Sequence, residues 1–289
     1  MKRLIIIRGG GELATGAAIF LFRAGFRVLM LEKPQPTSTR REVSFADAAL
    51  DGQKTVERIT CNLATNLDDA KKRLKNNELT MLVDPDGKSI KKLEPKVVID
   101  AILANENRGM NKNMAEHTLA LGPGFCAGRD VDAVIETMRG HNMGRIVHEG
   151  YSSRSHNKAS QVDTDDHIEH LLFAPMAGKF EALHHISFAA KKGEPIAVIT
   201  DKDGNKATVC AQMDGVIRGI VRDGFQVRAN QKIADINPNM RQGDCFTVSD
   251  KARCIGGAVL SAVMSWSLKK KKRGFFAKLS DSDMFDSFD

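Results

Sequence analysis

The 289-residue sequence is poor in aromatic residues with hydrogen-bonding edges, having one Trp and one Tyr. That leaves little for stacking bases, so the formal net charge of +7 is not read as a nucleic-acid signal. Much of the excess lies in one run, Lys269-Lys270-Lys271-Lys272-Arg273, which reads as a solvated tail. The five cysteines, Cys61, Cys126, Cys210, Cys245 and Cys254, are scattered, odd in number and free of any C-x-x-C spacing. They predict neither a disulfide framework nor a thiolate metal site, and place the chain in the reducing cytoplasm. Long apolar runs are missing too. The first one is interrupted by Arg8, three glycines and Glu12, so neither a signal peptide nor a membrane span is expected.

What is there begins with Leu4-Ile5-Ile6-Ile7, a strand-type run that leads into Gly9-Gly10-Gly11-Glu12-Leu13-Ala14-Thr15-Gly16 and then a helical pattern. Read as G-x-G-x-x-A, Gly9 makes the tight turn, Gly11 lets a pyrophosphate approach the backbone, and Ala14 permits close packing of helix on strand. Gly10 and Thr15 belong to the same loop. The fingerprint calls for an acid about 20 positions on, and Glu32 ends the next apolar run, where it would accept from ribose hydroxyls. Phosphate oxygens would meet the first free N–H groups of the helix.

Up to about residue 155, strand-like and helix-like stretches alternate. Strands are expected at Thr55 to Cys61, Thr80 to Val83, Val97 to Ile99 and Thr118 to Leu121; helices at Val43 to Ala48, Leu67 to Leu74 and Val131 to Met138. The pattern predicts a Rossmann-like α/β domain with a parallel sheet, residues 1–155. Asp84 and Asp100 end strands where a ligand would lie, although each could equally cap a turn or helix. Gly122 and Gly124 form a second glycine loop, with Asp130 as N-cap of the helix expected from Val131. His167 and His170, and adjacent His184 and His185, lack further ordered ligands and read as surface histidines, so no metal site is predicted.

Residues 156–170 are polar and aperiodic, a linker. Beyond them the sequence repeats at an offset of 37: Ala174-Pro175-Met176-Ala177-Gly178-Lys179-Phe180 aligns with Ala211-Gln212-Met213-Asp214-Gly215-Val216-Ile217, and Ile196, Ala197 and Ile199 align with Ile233, Ala234 and Ile236. Two interlocked halves of short strands in a small all-β domain, residues 171–245, are the expectation. A C-terminal strand and helix, 246–268, and a disordered charged tail, 269–289, complete the layout.

The all-β unit resembles the biotinyl/lipoyl-like barrel-sandwich hybrid, through its A-P-x-x-G element and Lys191-Lys192-Gly193-Glu194-Pro195-Ile196. The turn Asp201-Lys202-Asp203-Gly204-Asn205-Lys206 lacks flanking methionines, so neither lysine reads as a carrier site and a docking or lid role is expected. The order of motifs as a whole resembles the accessory-protein family of the selenium-dependent molybdenum hydroxylase system. It rests on the glycine loop; Arg40-Arg41-Glu42-Val43-Ser44-Phe45; Leu82-Val83-Asp84-Pro85; Val98 to Ala104; Leu121 to Phe125; Asp130 to His141; and Phe246 to Leu260. The resemblance implies binding of molybdopterin dinucleotide, or another dinucleotide such as NAD, and its delivery to an apo molybdenum hydroxylase of the xanthine dehydrogenase type. It also implies that Arg40 and Arg41 pair with phosphate through their forked donors. An NAD-dependent oxidoreductase and a non-enzymatic scaffold are the competing readings, and homo-oligomerisation is left open.

Overall fold

The computed structural model describes residues 3–104, 106–153 and 170–280. Up to residue 153 the chain forms strands β1 (Leu4–Arg8), β2 (Arg27–Glu32), β3 (Gln53–Val56), β4 (Ile59–Ala64), β5 (Leu79–Val83), β6 (Val97–Asp100), β7 (His117–Leu121), β8 (Cys126–Ala127), β9 (Ala133–Ile135), β10 (Ile146–Val147) and β11 (Gly150–Tyr151). Helices α1 (Glu12–Arg23), α2 (Ala48–Asp51), α3 (Leu67–Lys75) and α4 (Lys88–Leu93) lie among them. From residue 170 come β12 (His170–Phe173), β13 (Gly178–Ala182), β14 (Ala189–Ala190), β15 (Pro195–Thr200), β16 (Lys206–Cys210), β17 (Gly215–Ile220), β18 (Gln226–Val227), β19 (Lys232–Asn237) and helix α5 (Asp250–Ser280).

Nine strands make one large sheet in the order β10-β9-β7-β6-β1-β2-β5-β4-β3. The seven central strands are mutually parallel, and the edge strands β3 and β10 run antiparallel to their neighbours. Every residue of β1 is buried, as expected for a central strand covered on both faces. Its side chains alternate: Ile5 and Ile7 join a core with α1 and α5, while Leu4 and Ile6 join one with Ala70 and Leu74 of α3 and Ile90 and Leu93 of α4.

Helix α1 is apolar almost all round because α5 covers the face that the sheet does not. The two helices meet at small residues. A Cβ on Gly16 would lie 2.5 Å from the Ala252 carbonyl oxygen, and one on Gly256 would lie 2.8 Å from the Gly16 carbonyl oxygen. Backbone-to-backbone approach of this kind requires glycine.

The layout expected from the sequence, a Rossmann-like parallel domain followed by a barrel-sandwich hybrid, is corrected by this architecture: an α/β protein with one large mixed sheet and three smaller antiparallel ones. The strand expected at Thr55 to Cys61 is a hairpin, β3 and β4, turning at Glu57 and Arg58 with φ of +47° and +68°. The helix expected from Val131 is strand β9. Ala133, Val134 and Ile135 are all fully buried, and a short apolar run buried on both faces carries no period that separates strand from helix. Asp130 therefore caps no helix, and its carboxylate accepts from the Cys126 amide at 2.8 Å. The expected C-terminal strand is absent among the described residues. A 3₁₀ turn at Gln242–Phe246 leads to α5, whose backbone continues to Ser280, past the expected start of the tail at 269. The linker, apart from His170, and residues 281–289 lie outside the described residues, as does His167.

The 37-residue repeat is visible in the strands. It carries β13 onto β17, β14 onto β18, β15 onto β19 and β12 onto β16, and so maps the sheet β12-β19-β17-β14 onto the sheet β16-β15-β13-β18. Each sheet draws strands from both halves, and Phe180, Ile196, Ile199, Ile217, Ile233 and Ile236 fill the space between them. Asp235 is buried there between Arg218 at 2.7 Å and Lys232 at 2.8 Å. Burial alone would raise its carboxyl, but the two cations hold it down at about 2. Among the described residues no helix is long and apolar enough to cross a membrane.

The contact of α1 with α5 makes a specific demand. Gly16→Ala is expected to lower stability by about 1 to 3 kcal/mol through overpacking against Ala252. Gly257→Ala, whose Cβ would meet only Phe20 at 3.9 Å, is expected to be neutral or stabilising. Urea denaturation of both variants checks this, and equal midpoints would contradict the close crossing.

Candidate functional site

Chain order places β1 and β6 side by side, with the connections after them running in opposite directions. From β1 the chain crosses to β2 on one side, and from β6 it crosses to β7 and then β9 on the other. In an open sheet a crevice forms outside the carboxyl ends at such a switch point. The structure has a cleft there of about 600 Å³. Its walls are the glycine loop after β1, the segment after β2 (Lys33, Pro36, Thr37 and Ser38), the turn Asp84-Pro85-Asp86 after β5, and the segment after β6 (Ala101, Ile102, Leu103, Arg108 and Gly109).

Each glycine in the loop has its own reason. Gly9 has φ +103°, and a Cβ on it would sit 2.8 Å from the Ala101 carbonyl oxygen, so the turn and the close passage of the loop after β6 both require glycine. At Gly10 a Cβ would lie 2.9 Å from Ala46 Cα. Gly11 differs. Its backbone, φ −65° and ψ 178°, suits any residue, and nothing of the protein lies within 4 Å of where a Cβ would be. Gly11 is also the N-cap of α1, with no side chain capping that end of the helix.

Glu32 holds the loop. Its Oε2 accepts from the Gly10 amide at 2.7 Å, and its Oε1 accepts from the Lys33 amide at 2.8 Å. Burial pushes the carboxyl above its ordinary value, and the two backbone hydrogen bonds and the Lys33 charge only partly offset that. Thr15 works from behind: its hydroxyl donates to the Gly10 carbonyl at 3.2 Å and accepts from the Phe45 amide at 2.8 Å. Ala14, in the first turn of α1, is fully buried.

Of the residues singled out from sequence, Gly9, Gly10, Gly11, Glu32 and Asp84 line the cleft. Asp84 spends its carboxylate on the first turn of α4, accepting from the Lys88 and Ser89 amides at 3.0 and 2.7 Å. Burial raises this carboxyl, but the hydrogen bonds from Ser89, Lys88 and Gly87 outweigh it and leave it below the ordinary value. Asp100 lies beneath the cleft floor, 1% exposed, with Oδ2 receiving Arg8 Nη1 at 2.8 Å and Oδ1 receiving the Ile102 amide at 3.1 Å. Burial raises the Asp100 carboxyl and the Arg8 charge pulls it back only in part.

Arg40, Arg41, Gly122 and Gly124 do not line the cleft. Arg40 is buried beside Glu12, at 3.2 Å. Arg41 donates from Nε to the Ile220 carbonyl at 3.0 Å and from Nη1 to Asp47 at 3.4 Å. Both arginines thus face the junction with the all-β unit. There the Ile220 amide donates to the Thr39 carbonyl at 2.9 Å, and Arg222 grips Asp51 with both Nη atoms at 2.8 Å. Gly122, at φ +78°, packs against Thr137, with Leu103 between it and the cleft; Gly124 has φ +97°.

Sequence reasoning missed Arg8, Lys33 and Arg108. Arg8 is the last residue of β1, and its signal was that a charge ends an otherwise apolar, fully buried strand. Its Nη2 donates to the Arg108 carbonyl at 2.8 Å, so one guanidinium ties β1 to β6 and to the segment that walls the cleft.

No family model matches the chain. A protein of Escherichia coli (strain K12), described as Uncharacterized protein YqeB, is 40% identical over 262 residues, covering 91% of this chain and 47% of that protein. The chain thus spans about half the length of this relative. Among solved structures, TcdA (CsdL) aligns over 94% of this chain and 88% of its own with a TM-score of 0.33 and 12% identity. An aspartoacylase family protein from Mesorhizobium loti aligns over 82% and 86%, with a TM-score of 0.27 and 12% identity. A succinylglutamate desuccinylase from Silicibacter aligns over 81% and 84%, with a TM-score of 0.24 and 12% identity.

These findings correct the resemblance to the selenium-dependent molybdenum hydroxylase accessory family. The solved structures are described as TcdA (CsdL), an aspartoacylase family protein and a succinylglutamate desuccinylase, the relative as uncharacterized, and none of these descriptions carries that role. With the resemblance go the maturation role, the link to selenium and molybdenum, and the apo-hydroxylase partner. Three of the motifs behind it, the glycine loop, Leu82 to Pro85 and Leu121 to Phe125, are glycine- or proline-marked turns, and turns record backbone geometry rather than chemistry.

The Arg8–Asp100 pair supplies a test of the cleft floor. Arg8→Met is expected to cost about 3 to 5 kcal/mol, because it strands a buried carboxylate. Adding Asp100→Leu should restore much of the loss, as read from urea midpoints. A single variant as stable as the parent would show that the pair does not carry the floor.

Proposed function

We propose that the chain binds a dinucleotide in the cleft at the switch point, with the pyrophosphate over Gly11 and the first turn of α1. The observation that carries this reading is the empty space at Gly11. Gly9 and Gly10 are glycines because the protein crowds them, whereas Gly11 is crowded by nothing in the chain and has torsions open to any residue. A ligand passing close to the backbone supplies the reason the fold does not.

The surroundings suit such a ligand. The uncapped helix end offers N–H groups and the positive end of the helix dipole to phosphate oxygens. The acids of the cleft do not oppose it strongly, since Glu32 and Asp84 are turned into backbone amides and Asp86 pairs with Lys88 at 3.0 Å. NAD, one of the ligands considered from sequence, carries the pyrophosphate that this loop would recognise. Five free thiols favour the cytoplasm as the place of action.

Substitution at Gly11 tests the reading. Gly11→Val should leave the protein folded, because a Cβ there meets no protein atom within 4 Å, with a modest fall in thermal midpoint from the poorer N-cap residue. It should weaken binding of ADP-ribose, the part common to nicotinamide dinucleotides, by about a hundredfold or more, about 2.7 kcal/mol. Isothermal titration of both proteins reads this, and equal affinity in a folded variant would remove the loop from the binding site.

A further inference from the structure

The segment after β2 carries a second feature of the same cleft, one whose meaning rests on the proposed binding of a dinucleotide there. Where a glycine loop binds a dinucleotide pyrophosphate, the strand after that loop ends beside the adenosine ribose. An acid there usually accepts from the two ribose hydroxyls. Here Glu32 is the acid, but each of its oxygens already accepts a short backbone hydrogen bond, from Gly10 at 2.7 Å and from Lys33 at 2.8 Å. Its work is to hold the loop.

The groups next to Glu32 on this segment are donors. Lys33 follows Glu32 directly, and its Nζ donates to the Thr37 hydroxyl at 3.1 Å. Ser38 comes next, but its hydroxyl donates to that of Ser44 at 3.0 Å, because the Ser44 proton goes to the Arg40 carbonyl at 2.7 Å. Lys33, Thr37 and Ser38 all line the cleft. The segment between them is stiffened by Pro34 and by Pro36, which is buried. It is fixed at both ends, by the Lys33 amide on Glu32 and by the Thr39 carbonyl, which accepts from Ile220 of β17 at 2.9 Å. The Lys33 ammonium group and the Thr37 hydroxyl on a braced loop match the oxygens of a phosphate monoester.

We infer that Lys33 and Thr37 form a subsite for a phosphate on the adenosine ribose, so that the ligand is a 2′-phosphorylated dinucleotide of the NADP type rather than its unphosphorylated counterpart. Lys33 supplies the charge, and Thr37 orients its ammonium group. The Thr37 hydroxyl accepts from Lys33 and keeps its own proton to donate to the phosphate.

Titration of the full chain with 2′-phospho-ADP-ribose and with ADP-ribose tests the inference, each measured at two salt concentrations by calorimetry. The phosphorylated probe is expected to bind at least tenfold more tightly, with the steeper salt dependence. In Lys33→Ala, which keeps the backbone amide on Glu32, the two affinities should converge. Equal affinities in the parent protein, tighter binding of ADP-ribose, or a preference that survives Lys33→Ala would each overturn the subsite while leaving the dinucleotide reading in place. Binding of neither probe would overturn both.

Discussion

The Glu32 carboxylate is the point on which the cleft depends. By accepting from Gly10 and Lys33 it joins the turn after β1 to the turn after β2, and sets the distance between two walls of the crevice. Its burial is costly, as the raised carboxyl shows, and the backbone amides and Lys33 recover only part of that cost. A group kept in such a place by hydrogen bonds to a glycine loop fixes the loop's shape before any ligand arrives. Preorganisation of this kind lowers the ordering cost of binding.

From that anchor the constraints run outward. Gly9 must pass under Ala101, which brings the segment after β6 against the loop, and Arg8 locks the same segment from below through Asp100 and the Arg108 carbonyl. Thr15 ties the loop to Phe45, and Glu12 accepts from the Ser249 amide at 3.1 Å just before α5 begins. Helix α5 then covers α1 through contacts that only glycine allows. The all-β unit is attached through Thr39, Arg41 and Asp51, so the segment that walls one side of the cleft is held by both units. That attachment makes the unit a brace for the segment after β2.

The sequence was most legible where a residue type has one physical reason to be there. Gly9 was legible as the tight turn after β1, as its φ of +103° shows; Gly11 and Glu32 line the cleft as expected, but Glu32 accepts from loop amides, a role its strand-end position did not announce. Helix α3 coincides with the helical stretch read at Leu67 to Leu74, and Asn66 caps it by accepting from the Asp68 and Asp69 amides. Strand β9 was not, because a short run buried on both faces has no period. The roles of Asp84, Asp100, Arg40 and Arg41 were not legible either, since partners such as Ser89, Arg8, Glu12 and Ile220 are fixed only by the fold. Arg41 and Ile220 are far apart in sequence, and no local pattern announces their contact. The family resemblance failed for a related reason: several of its motifs are turns, which many α/β proteins build in the same way.

Hydrogen exchange at the backbone amides of Gly11, Glu12 and Leu13 tests the central claim most directly. On saturation with 2′-phospho-ADP-ribose or ADP-ribose, these amides should become protected while those of the all-β unit exchange as before. Exchange at the loop unchanged by a ligand that binds elsewhere, or by neither compound binding at all, would contradict the account.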